Sequence, residues 1–335
     1  MTHFKNAAVI GAGVIGSGWI ARLIENGINV SVFDPAPDTR DRIERTLVNS
    51  RAAYGKLISG VRCEEGSIAF TTSISHAVEN TDFVIESVPE RLDIKQSVFA
   101  EIEQTTGQQV IIASSTSGIM PTDLQAKMHY PERLLVAHPF NPVYLIPLVE
   151  LVGGKLTSKR TLVDFAEIIK ETGMHPLIIK KEIAAFVADR LLEALWRESL
   201  WLVKDGVATT GDIDDAIRFG FGLRFAQMGI FDTYRIAGGR AGMSHFLSQF
   251  GPSLQWPWSK LTDVPELDAE LVALITKQSD EQSNHMTIAE LEQKRDDNLI
   301  GILQALQQNQ WGAGKTLSDY ERELNRKAIF AANDE

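Results

Sequence analysis

One cysteine, Cys63, stands in 335 residues. A single thiol excludes an intrachain disulfide and any metal site built on several cysteines. It suits a reducing compartment, so a cytoplasmic location is expected. Cations are also in short supply: 33 Lys and Arg face 44 Asp and Glu, for a formal charge of −11. That balance argues against nucleic acid as a partner, because phosphate backbones call for clustered Lys and Arg. It gives a cationic small molecule a mild attraction. No apolar run reaches the ~18 residues of a membrane span, so no membrane partner is expected. The stretch from Ala7 to Ala21 is broken by four glycines and continues into a charged helix, which speaks against a signal-peptide core. Internal repeats and low-complexity tracts are missing too. What remains, 44% hydrophobic and 23% charged with a mean hydropathy of −0.07, reads as an ordinary soluble globular chain long enough for about two domains.

The glycines that interrupt the first apolar run are its most informative feature. Ala7-Ala8-Val9-Ile10 reads as a strand, Gly11-Ala12-Gly13-Val14-Ile15-Gly16 as a tight turn, and the following residues to Glu25 as an amphipathic helix. Gly11, Gly13 and Gly16 fit the spacing G-x-G-x-x-G, which lets backbone approach a pyrophosphate at a helix N-terminus. A second strand, Asn29 to Phe33, ends at Asp34, 18 residues past Gly16 and about where a ribose-binding acid belongs. Arg40 is the nearest cation that could meet a 2′-phosphate, but Asp34 would repel that group. NAD is therefore expected as cofactor in preference to NADP.

Strand and helix signals then alternate. Strands are expected at Ser67–Thr72, Asp82–Val88, Gln109–Ser114 and Leu134–Ala137, and later runs at Leu148–Val152 and Pro176–Ile179 extend the series. Helices are expected at Asp38–Tyr54, around His76–Glu79, from Leu92 to about Gln104, after Pro121, and at Lys159–Glu171. This alternation predicts an α/β Rossmann-type, doubly wound and largely parallel sheet. Ligands of such sheets sit outside the carboxyl ends of the strands, and Gly11, Asp34, Ser117 and His138 all fall at such ends. From about residue 183 the pattern is all-α. A long amphipathic helix is expected from Glu182 to Lys204, and Thr209 with Asp212 marks the start of another, which ends at Gly220. Thr287 with Glu290 opens a helix to about Gln308. The expected division is an NAD-binding domain over 1–182 and a helical substrate and dimerisation domain over 183–335. The apolar helix faces of the second domain could close an intrachain core or meet another subunit.

Hydride transfer from an alcohol needs a base for the hydroxyl proton, and imidazole titrates in the right range. Of seven histidines, only His138 sits at an expected strand end on the cofactor side. Glu150 interrupts the apolar run Leu148-Val149-Glu150-Leu151-Val152, and a buried carboxylate there needs a partner such as an imidazole. Ser117 could donate to a substrate oxygen or simply satisfy its own turn. No metal is expected.

These segments together resemble the 3-hydroxyacyl-CoA dehydrogenase family. The residues that carry the resemblance are Gly11–Gly16, Asp34, Val88-Pro89-Glu90-Arg91-Leu92-Asp93-Ile94-Lys95, Ser115-Thr116-Ser117, His138-Pro139-Phe140-Asn141-Pro142 and Glu150. The resemblance implies that His138 is the catalytic base, Glu150 its partner and Ser117 a substrate-oxygen donor. It places Glu90 and Lys95 on the nicotinamide-ribose side of NAD, and it implies a homodimer. One departure stands out: Asp189 lies where the family typically has Asn, which speaks against ordinary acyl-CoA recognition. The fuller pattern, including Ala188 to Glu198, Phe219 to Arg224 and Gln255-Trp256-Pro257-Trp258, is similar to the members that oxidise L-carnitine to 3-dehydrocarnitine. A quaternary ammonium binds aromatic faces and is helped by a nearby acid. Phe140, Tyr144 and Asp189 are the candidates carried forward, with Trp196, Trp256 and Trp258 as further aromatics and Arg190 or Arg224 as possible carboxylate clamps. The competing readings are a dehydrogenase of another 3-hydroxy acid (a 3-hydroxyacyl-CoA or gulonate) and a non-catalytic NAD-binding structural protein. Retention of both His138 and Glu150 argues against the last.

Overall fold

The computed structural model describes residues 4–226, 229–237, 240, 242–250, 266, 268–282 and 286–333. The motif at residues 255–258 lies outside them. The elements begin β1 (Asn6–Ile10), α1 (Val14–Ile24), β2 (Asn29–Phe33), α2 (Thr39–Leu57), β3 (Ile68–Phe70), α3 (Ile74–Val78), β4 (Phe83–Glu86) and α4 (Leu92–Thr105). They continue β5 (Ile111–Ser114), α5 (Pro121–Gln125), β6 (Leu134–Pro139), β7 (Leu148–Gly153), α6 (Lys159–Glu171) and β8 (His175–Ile179). Helices follow: α7 (Ala188–Lys204), α8 (Thr210–Ala216), α9 (Gly222–Phe225), α10 (Gly229–Ala237), α11 (Gly242–Phe250), α12 (Ala269–Gln282), α13 (Ile288–Gln308) and α14 (Gly312–Asn333).

The eight strands form one sheet in the order β3-β2-β1-β4-β5-β6-β7-β8. Every neighbouring pair is parallel except β6 and β7. Strands covered on both faces must be apolar throughout, and Phe83-Val84-Ile85, Ile111-Ile112-Ala113 and Leu134-Leu135-Val136-Ala137 are all buried. The central order reverses beside β1, where β2 departs to one side and β4 to the other. That reversal opens the crevice in which doubly wound sheets bind ligands.

Helix ends follow local chemistry. Ser73 and Ser158 cap α3 and α6 through their hydroxyls, and Pro121 occupies the first turn of α5. The expected capping box at Thr209 and Asp212 is present, with both reciprocal bonds. At Thr287 the Glu290 carboxylate accepts from the backbone N–H and the hydroxyl at 2.8 Å each. Two expected helix bounds are corrected. The long helix begins at Ala188 and not at Glu182, because Ala185 and Phe186 take φ of 59° and 49°. Those left-handed conformations break a helix and cost about 1–3 kcal/mol each in a non-glycine residue. Nor does α8 stop at Gly220: it ends at Ala216, and a π-helical turn, Ile217–Phe221, leads into α9.

Two compact units are present, one comprising Met1–Val187 with Asp296–Glu335 and the other Ala188–Arg295. In the first, the end of α13 and the whole of α14 return to the sheet, with Leu303, Leu317, Tyr320 and Leu324 joining the core of α1, α2 and α6. In the second, α10 packs on α11 and α12 on α8. Among the described residues no helix is long and apolar enough to cross a membrane, and no cluster of three potential metal ligands occurs.

Candidate active site

The glycine turn shows why each glycine is there. Gly11 has φ of +88°, and a Cβ on it would lie 2.6 Å from the Ser87 carbonyl oxygen. On Gly16 a Cβ would lie 2.0 Å from the Gly11 carbonyl oxygen. These two positions let β1, β4 and α1 come together. Gly13 differs: nothing lies within 4 Å of its would-be Cβ. Its missing side chain leaves open space in front of α1, whose first turn has no acidic residue and no side-chain cap. Orphan N–H groups at such an end attract anions, and Val14 on that turn is 69% exposed. Ala12 and Ile15 complete the turn beside it. The open cradle fits the pyrophosphate of a dinucleotide.

Asp34, immediately past β2, accepts from Ala12 N at 2.7 Å and from Ala36 N at 2.8 Å, which fixes its carboxylate against the glycine turn. The cation beside it is Arg42, not Arg40. Arg42 lies 3.5 Å from Asp34 Oδ2 and also donates to the Ala12 carbonyl at 3.3 Å, while Arg40 stacks 4.1 Å over the Phe70 ring. Residues on α2 four and eight positions from Asp38 and Asp34 reach back onto one face, so the helical spacing selects Arg42.

Past β4 and β5 lies a polar network. Glu86 is fully buried and accepts from Lys95 Nζ at 2.8 Å, Ser114 Oγ at 2.5 Å and Val88 N at 2.8 Å. Burial raises the Glu86 pKa, against the opposing pull of the buried Lys95 ammonium. Lys95 also donates to the Val88 carbonyl at 3.2 Å and lies 3.4 Å from Glu90. Glu90 accepts from the Thr116 hydroxyl, from Ser117 N at 3.2 Å and from Gly118 N at 3.1 Å. Burial pushes its pKa up, but Thr116, Lys95 and the Gly118 N–H outweigh it and hold the carboxyl below the usual range. Glu90 thus grips the turn that presents the exposed Ser117, with Lys95 behind it rather than on the surface. Ser115 accepts from Ser87 Oγ at 3.0 Å and from Trp19 Nε1 at 3.1 Å, tying this turn to α1.

His138 and Glu150 are register partners across the antiparallel β6–β7 pair, so their side chains share one face. Nδ1 of His138 lies 2.9 Å from Oε2 of the fully buried Glu150. The other carboxylate oxygen, Oε1, accepts from Val187 N at 3.0 Å. A carboxylate facing Nδ1 favours the tautomer with the proton there, leaving Nε2 as the nitrogen whose lone pair can take a proton. Two rings flank the imidazole, Phe140 at 4.8 Å and Phe186 at 5.6 Å between centroids. The left-handed break before α7 therefore sets Phe186 against His138 and Val187 against Glu150.

The remaining candidates are Tyr144, Asp189 and Trp196. Tyr144 is only 5% exposed, its ring in the core and its hydroxyl donating to Asp296 Oδ2 at 2.6 Å. Asp189 is in the first turn of α7 in the helical unit. Trp196 lines an apolar recess between α7 and α8 with Leu192, Leu195, Leu200 and Ile213. On α7 Arg197 pairs with Glu193, at 3.7 Å. Four residues that matter here were given no role from the sequence: Arg42, Glu86, Trp19 and Phe186. Glu86 carried a readable signal, since it is an acid closing an apolar strand just as Glu150 interrupts one.

The glycine cradle, the acid past β2 and the polar turn past β5 all lie at the carboxyl edge of the parallel strands, and together they define a Rossmann-type dinucleotide-binding protein. Two family models match the chain, the 3-hydroxyacyl-CoA dehydrogenase NAD binding domain over residues 6–183 and the 3-hydroxyacyl-CoA dehydrogenase C-terminal domain over 186–268. The chain belongs to the 3-hydroxyacyl-CoA dehydrogenase family and is an NAD-dependent dehydrogenase. It is 53% identical to an L-carnitine dehydrogenase of Mesorhizobium japonicum, over 98% of this chain and 92% of that one. An L-carnitine dehydrogenase of a Pseudomonas species is 47% identical, over 95% and 99%. An Agrobacterium fabrum protein, L-carnitine dehydrogenase/betainyl-CoA thioesterase, is 55% identical over 94% of this chain, which spans 64% of that longer relative. Among solved structures, a 5-formyl-3-hydroxy-2-methylpyridine 4-carboxylic acid 5-dehydrogenase, an NAD+-dependent dismutase, is similar with a TM-score of 0.77 and 31% identity, covering 90% of this chain and 98% of that one.

Proposed function

We propose that this enzyme oxidises L-carnitine at C3 to 3-dehydrocarnitine, with His138 as general base and Glu150 as its partner. NAD, when bound, accepts the hydride that leaves C3. His138 Nε2 takes the hydroxyl proton as the C3–O bond becomes a carbonyl. Glu150, held by Val187 N and facing Nδ1, stabilises the imidazolium that forms and keeps the ring oriented. Ser117, presented by the turn that Glu90 grips, donates to the substrate oxygen. Gly11 to Gly16 and Asp34 bind the cofactor, with Glu90 toward its nicotinamide end and Lys95 in support. Phe140, the candidate aromatic beside His138 that keeps exposed area, offers a face to the trimethylammonium.

The observation that carries the chemistry is the cross-strand His138–Glu150 pair at 2.9 Å. Support for the substrate comes from the relatives that match nearly the whole chain, together with the acidic balance of the protein. Exposed apolar side chains on the helical unit, Phe219, Leu223, Phe231 and Ile236 among them, support a homodimer formed through that unit. The test compares NAD reduction with L-carnitine, 3-hydroxybutyryl-CoA and gulonate. L-carnitine is expected to give the highest kcat/KM by a wide margin. A higher value with either alternative would reassign the substrate, and NAD binding without turnover on any of them would leave a non-catalytic protein.

A further inference from the structure

The connection between β6 and β7, residues 140–147, joins the two partners of the His138–Glu150 pair. Its backbone is held from two sides. From α1, Arg22 Nε donates to the Val143 carbonyl at 3.2 Å, and Gly18 lets Val143 approach so closely that a Cβ on Gly18 would sit 2.9 Å from the Val143 Cβ. From α13, the buried Asp296 accepts the Tyr144 hydroxyl at 2.6 Å, across 152 residues of chain. Asp296 lies beyond residue 268, where the match to the family's C-terminal domain ends. It is followed by a segment that folds back on the same unit: Lys56 pairs with Asp297 at 2.5 Å, Gln304 donates to the Lys56 carbonyl at 2.8 Å, and Ser59 N donates to Glu321 at 2.9 Å.

We infer that Asp296 is a positioning residue for catalysis, acting through the Tyr144 hydroxyl to hold the β6–β7 connection and thereby Phe140 and the His138–Glu150 register. Phe140 sits at one end of this connection and rests on the His138 ring. Tyr144 sits near its middle, and Leu145 and Ile146 both donate to the Pro142 carbonyl at 2.9 Å, which closes the segment into one turn. A shift of about 1 Å in a catalytic group is enough to cost roughly a hundredfold in rate. An anchor of this kind therefore acts on turnover without touching substrate. Tyr144 is recast accordingly: it serves the site from the core and not as an open aromatic face.

The inference rests on the dehydrogenase reading above, so its test has one readout independent of turnover. Asp296→Ala and Tyr144→Phe should each lower kcat about tenfold or more, with the Kd for NAD unchanged, and should speed hydrogen exchange at the Leu145 and Ile146 amides. The double variant should lose less than the sum of the two singles, because both remove the Tyr144–Asp296 hydrogen bond. Asp296→Asn retains an acceptor oxygen and should recover most of the lost kcat. Lower melting temperatures with kcat per folded molecule unchanged would overturn the inference, as would additive losses or unaltered exchange at those two amides. If the unaltered enzyme fails to reduce NAD with any 3-hydroxy acid, the functional reading fails, while amide exchange still decides whether Asp296 anchors the turn.

Discussion

At the scale of single residues, the site separates groups that do chemistry from groups that hold them. His138→Ala should lower kcat by about 10²–10⁴-fold, the range for loss of a general base, and leave the Kd for NAD nearly unchanged in a fluorescence titration. A comparable loss of NAD affinity would mean that His138 serves the cofactor instead. Lys95→Met leaves the fully buried Glu86 carboxylate without its 2.8 Å ammonium. Breaking one side of a buried pair costs about 3–5 kcal/mol, which denaturant titration would read. Glu90 provides a pH dependence. Its pKa is lower folded than unfolded, so its contribution to stability is fully present above the ordinary carboxylate value and is lost as pH falls through the depressed one. The stability difference between the native protein and Glu90→Gln should therefore shrink as pH drops below about 4.3, the unperturbed Glu value. A difference independent of pH there would mean that Glu90 is not ionised against the Thr116–Gly118 turn.

At the scale of elements, the three glycines of the first turn are predicted to behave differently. Gly11→Ala and Gly16→Ala force contacts of 2.6 Å and 2.0 Å onto backbone oxygens, so each should lose stability by roughly 1–3 kcal/mol or more. Gly13→Ala meets nothing within 4 Å and should keep its melting temperature while weakening NAD binding, because the added methyl fills the cradle. Equal destabilisation by all three would remove the distinction. The strand–turn–helix unit was legible because local chemistry determines it: apolar residues in sequence, glycines at fixed spacing, an acid at the next strand end. The Lys159–Glu171 helix was legible for the same reason, with Ser158 as its cap. The break at Ala185 and Phe186 was not. Nothing local favours φ of 59° and 49° there, and the conformation is held by tertiary burial of the Phe186 ring against His138. Tyr144 was misleading for a related reason, since a tyrosine near a catalytic motif looks the same in sequence whether its ring faces a cleft or the core. Its partner Asp296 is 152 residues away, beyond the reach of any local pattern.

At the scale of the whole molecule, residues 296–333 belong energetically with the sheet. Leu324 on α14 is almost wholly buried among residues of the first core, and Leu324→Ala should cost about 2–5 kcal/mol in that unit's unfolding transition. The exposed apolar side chains of the helical unit predict a dimer by analytical ultracentrifugation at micromolar concentration; a single monomeric species would contradict it. If hydride leaves C3 of carnitine while His138 takes the hydroxyl proton, L-carnitine deuterated at C3 reports both events. The native enzyme should transfer the deuterium into the reduced nicotinamide, and His138→Ala should bind NAD but transfer almost none. Unlabelled reduced cofactor, or full transfer by His138→Ala, would contradict that mechanism.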